Sequence, residues 1–138
     1  MFGFLKRQPP ENKLLLAELK RISENYTGPN IFDRIVAKAA AEEISSAMKK
    51  DQSFAKDTIS EGGWSARDAA YLIMSEFAAS AVQSGHLHVY RGVMNDQGHA
   101  YLRLYKACIG ALMKSGRYSD LEGVEALTEL EEAISEVG

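Results

Sequence analysis

From Ala69 to Ser84 the chain carries one charged residue, Glu76, among alanines, serines and large apolar side chains. Ile73, Phe77 and Ala81 recur at helical spacing, and Ala69, Ala70, Ala78 and Ala79 extend the apolar surface beyond a single stripe. A helix that is apolar on more than one side has to be covered on more than one side. The segment from Ala66 to about Ser84 is therefore expected to be the central helix of a bundle. Ser65 and Asp68 form a near capping box at its start, Trp64 is placed for a hydrophobic staple onto Ala69, and Gly85 closes it.

The flanking sequence supplies the helices that would surround it. Residues 1–10 read as a flexible lead-in ended by Pro9 and Pro10, although Phe2, Phe4 and Leu5 ahead of Lys6-Arg7 also suit a partner groove. Leu15, Leu19, Ile22 and Tyr26 form a helical stripe over Glu11 to Tyr26, stopped by Gly28-Pro29. Asn30 is a good N-cap for a second helix, with Asp33 near the positive end of its dipole. Phe32, Val36, Ala40, Ile44 and Met48 give that helix its inner face, and Lys49-Lys50 suit its end. Residues 51–63 allow a short helix anchored by Phe54 and Ile59 before Gly62-Gly63. After Asn95–Gly98 a helix on Leu102, Tyr105, Ile109 and Leu112 runs to about Ser115, capped by Gly116. Ser119 and Glu122 make a capping box for a last helix reaching about Val137, with Val124, Leu127, Leu130 and Ile134 inward. Alanine, leucine, glutamate and lysine are frequent and β-branched runs are nearly absent. The expected fold is all-α: a compact single-domain bundle of five to six helices over residues 11–138, with a non-helical segment near 86–98.

Charge is unevenly placed. From Tyr118 onward there are seven acids and no lysine or arginine, so residues 1–117 hold sixteen cations against twelve acids, a charge of +4. The short connection makes the last two helices an antiparallel hairpin. Like charges four residues apart, running into the negative end of the dipole, weaken the last helix by roughly 0.2–0.5 kcal/mol per pair. Arg103, Lys106, Lys114 and Arg117 line up on the preceding helix with Gly110 between them. They are expected to offset those acids, with Lys114 near Glu122 and Lys106 near Glu129. An acidic segment docked on a mildly basic body disfavours nucleic acid as a partner. No apolar run approaches the roughly 20 residues of a membrane span, so stable membrane insertion is not expected. One cysteine, Cys108, excludes an internal disulfide and fits a reducing, cytoplasmic setting.

The segment 86–94 alternates Leu87 and Val89 with His86, His88 and Tyr90, which suits a loop or a strand paired with a second copy. In extended backbone His86 and His88 point the same way, and Asp96 and His99 add a carboxylate and an imidazole. That is the donor set of a divalent-metal site, zinc or iron for example. Tyr90 and Arg91 are candidates for holding an anionic ligand, and Glu76, if buried, for acid–base work. Cys108 lacks a neighbouring base and reads as a structural core residue. No His-Glu-x-x-His pattern and no phosphate-binding glycine loop is present. The chain is thus expected to be a non-enzymatic interaction or regulatory module, acting on a protein partner or on itself as a homodimer through a helical surface. The alternative is a metal- or small-ligand-binding protein, enzymatic or not, with its site on residues 86–99.

Overall fold

The computed structural model describes residues 10–26, 28, 30–51, 53–83, 89–90 and 93–136. In chain order these form α1 (Pro10–Asn25), α2 (Ile31–Lys50) and α3 (Phe54–Lys56), which runs on into a π-helical turn at Asp57–Glu61. Then come α4 (Ala66–Gln83), the two-residue strands β1 (Val89–Tyr90) and β2 (Val93–Met94), α5 (Asp96–Lys114) and α6 (Asp120–Ser135). The fold is an all-α bundle. As its composition requires, α4 is central and touches α1, α2, α5 and α6. Ala70, Met74, Ala78 and Val82 are fully buried, and Phe77 meets Tyr101 of α5 with ring centroids 6.2 Å apart. The helices around it contribute Leu15 and Leu19, Val36 and Met48, and Leu104 and Leu112 to one continuous core.

Local chemistry accounts for the boundaries. Pro10 opens α1 rather than ending the lead-in; a first helical position has no use for the N–H that proline lacks. Asn95 caps α5 by accepting from the Gly98 N–H at 2.8 Å. Asp96–Gly98, expected in the connection, therefore belong to the first turn of that helix. Ser119 and Glu122 form the capping box of α6, their reciprocal hydrogen bonds measuring 3.0 and 3.1 Å. Within the alternating segment the described residues 89–90 and 93–94 are extended. β1 pairs antiparallel with β2 of the same chain, Val89 opposite Met94 and Tyr90 opposite Val93. Gly85, expected to close α4, lies outside the described residues.

At the start of α2 the capping box Asn30/Asp33 forms. Asp33 is fully buried, however, and does more than cap. Its carboxylate accepts from the Asn30 N–H at 3.2 Å and, in fork geometry, from Arg103 Nε at 2.7 Å and Nη2 at 2.9 Å. A side chain on Gly28 would overlap the Asp33 carboxylate, so the residue that ends the α1–α2 turn is small for steric reasons as well. Beside the pair, burial and the Asp33 charge push the Tyr26 phenol up to about 12.

This pairing overturns the expected α5–α6 register. Arg103 turns to Asp33, Arg117 lies over the Trp64 ring at 3.9 Å, and Lys114 faces α4. Among the described residues only Lys106 reaches an acid of α6, Glu131 at 3.9 Å rather than Glu129. A desolvated carboxylate that accepts a bidentate guanidinium outcompetes exposed pairs, which contribute roughly 0–1 kcal/mol each. Of the four α6 residues expected inward, Leu130 is buried and Leu127 and Ile134 are packed partly against the core, but Val124 is not. Gly123 packs so closely on Met113 that a Cβ would overlap that side chain, which sets Gly123 and Leu130 inward and leaves Val124 exposed.

Removing Arg103 leaves a buried carboxylate uncompensated. Arg103→Ala is expected to lower the unfolding free energy by about 3 kcal/mol in urea titrations, the low end for a buried pair because the arginine is partly solvated. The hydrogen bonds from Arg103 hold the Asp33 carboxyl below its ordinary 3.8. A depressed pKa contributes stability that is fully present above the unfolded value and lost as pH falls through the folded one. The contribution should thus be intact above about pH 5 and fade below about pH 4. Asp33→Asn, less stable at neutral pH, should show a flatter acid limb.

Candidate functional site

The residues singled out along 86–99 are not drawn together by the described structure. His86, His88 and Arg91 lie outside the described residues, and only the backbone of Tyr90 is described, in β1. Asp96 and His99 stand exposed on the first turn of α5, where capping falls to Asn95 instead. Glu76 is exposed on α4; partial burial raises its pKa, and its charge in turn helps to raise that of the Tyr118 phenol. Among the described residues no three His, Cys, Asp or Glu side chains are grouped to hold a metal. Cys108 is buried, and burial alone pushes its thiol up to about 12, so it is protonated at neutral pH.

Two surface features that the sequence reading passed over are better formed. The first is a groove of about 660 Å³ where the start of α4 lies against the end of α5. From α4 it is lined by Arg67, Asp68 and Tyr71, and from α5 by Ala107, Gly110, Ala111 and Lys114, with Gly110 exposed. Among the described residues neither Arg67 nor Lys114 makes an ion pair, and Asp68 is the one acid in the lining. A Cβ built on Gly110 meets nothing within 4 Å. Mid-helix glycine costs about 1 kcal/mol relative to alanine, and among the described residues no packing contact requires it.

The second is the outer face of α6. Leu121 and Val124 are 68% and 55% exposed, one turn apart, with Glu125 and Glu132 on the same side by helical spacing. Leu130 is the one large apolar side chain of this helix that is fully buried, and Lys106–Glu131 is its one ion pair among the described residues. Other exposed apolar residues are differently placed. Leu14 is the only one on α1, and Ile31 and Ile35 form a second exposed apolar pair, one turn apart at the capped start of α2 beside Arg34. A further groove of about 570 Å³ between α1 and α2 has walls of mixed sign, from Lys20, Glu24, Lys38, Glu42 and Lys49.

Compared with known proteins, the chain matches no family model, no curated protein and no solved structure. Its surfaces therefore have to be read on their own chemistry. Gly110 carried a usable signal, since a glycine inside a strong helical pattern marks a close approach or an open floor. Leu121 and Val124 carried none, because inward and outward positions of α6 are both apolar.

Gly110→Ala is expected to raise the unfolding free energy by about 0.5–1 kcal/mol in chemical denaturation, since the added methyl enters open space on a helix. A loss of stability would show that the groove is narrower in solution than its geometry indicates.

Proposed function

We infer that this chain is a non-enzymatic protein-interaction module whose binding surface is the outer face of α6. The observation that carries the reading is the exposed pair Leu121 and Val124 on a helix whose many acids find one ion-pair partner among the described residues. Glu125 and Glu129, and Glu132 and Glu136, are like charges four residues apart, and the last of them stand at the negative end of the dipole. Such a helix gains from a partner that covers its apolar pair and supplies cations to its acids. The partner so described presents an apolar patch rimmed by lysine or arginine. Burying two such side chains contributes roughly 1.5–3 kcal/mol each, and charges at the rim speed encounter and set orientation.

The test uses a photo-activated cross-linking side chain at position 121 in cells, with position 14, an exposed leucine on α1, as control. A protein captured from 121 and not from 14 is purified and its binding measured directly. The double variant Leu121→Ser/Val124→Ser is expected to weaken that binding at least tenfold, with an unchanged thermal unfolding curve. Added salt is expected to slow association. Binding indifferent to the double variant, or equal capture from both positions, would overturn the reading.

A further inference from the structure

We propose that the partner of the α6 face is a second copy of this chain, whose α4–α5 groove receives it. The inference rests on the functional reading above and names its occupant. The groove supplies what the α6 face lacks. Arg67 and Lys114 stand on its two walls without ion-pair partners among the described residues, and Glu125 and Glu132 flank the apolar pair on α6. Ala107, Gly110 and Ala111 are small and let a helix come close, which gives a use to a glycine that no described contact requires. Leu121 and Val124 would then lie against Gly110, with Tyr71 beside them.

The α6 helix cannot fill its own groove. Only Ser115–Ser119 separates it from α5, and it is folded back against α5 and α4, meeting α5 through Gly123 and Met113. The same short turn puts the groove end at Lys114 next to the start of α6. Two copies related by a two-fold axis near this turn exchange helices reciprocally, each α6 in the other's groove. Such an isologous contact closes on itself as a dimer instead of extending into a fibre.

The experiment is sedimentation velocity of the untagged full chain from about 1 to 500 μM, at low and high salt. A reversible dimer is expected, weakened at least tenfold by Gly110→Leu, which puts a bulky side chain into the groove lining. Arg67→Glu/Lys114→Glu and Glu125→Lys/Glu132→Lys are each expected to be monomeric alone and to form mixed dimers when combined, because both reciprocal contacts then regain opposite charge. Circular dichroism confirms that each variant is folded. A monomer throughout the range, a dimer indifferent to Gly110→Leu, or folded charge variants that fail to pair when mixed would overturn the proposal. The two readings fail separately: if the chain is monomeric but a different protein is lost on changing Leu121 and Val124, the functional surface stands and the second copy is excluded from it.

Discussion

The bundle is organised around one carboxylate with no access to water. Asp33 closes the N-terminal box of α2, and the same oxygens take the forked hydrogen bonds of Arg103 on α5. The Gly28 turn gives way around it, and Tyr26 stays protonated beside it. Through this forked contact α5 is tied to the start of α2, alongside the apolar packing that the two helices share. The position of α5 then determines which walls face α4, and hence where the groove lies.

Much of the helical plan was legible in the sequence, since each step has a local cause. The near absence of charge in α4 demanded a central place, and Asn30, Ser119 and their acidic partners three residues on marked two helix starts. Three features were not legible, each for a physical reason. Asp33 looks like an ordinary first-turn acid, and only tertiary structure shows which cation, 70 residues away, removes it from water. The basic line on α5 looked like a rail for α6, but Arg103 is drawn to a desolvated acid instead. Val124 looked inward because the apolar residues of α6 span most of its circumference, and a single glycine, Gly123, chose the contact line. Of the candidate site, Asp96, His99 and Glu76 are exposed side chains without a shared centre, and the useful signal was the mid-helix Gly110.

The last helix illustrates how a chain keeps a surface available. Its start is held by a complete capping box and its middle by Leu130, while Leu121 and Val124 stay in water. Leu127 and Ile134 join Leu130 against the core, so the helix is held on one side while its other side is left to solvent.

α4 with α5 is the largest interface and joins helices close in the chain, as do α1 with α2 and α5 with α6, while α2 with α5 and α1 with α4 join distant ones. The local pairs favour rapid folding, because little loop entropy is lost before the first contacts form. The Asp33–Arg103 contact is of the opposite kind, closing a span of 70 residues. The hairpins can assemble first and the ion pair seal them afterwards. On that order the pair is absent from the rate-limiting barrier and acts as a brake on unfolding, so its strength is felt in how long the native state lasts more than in how quickly it is reached.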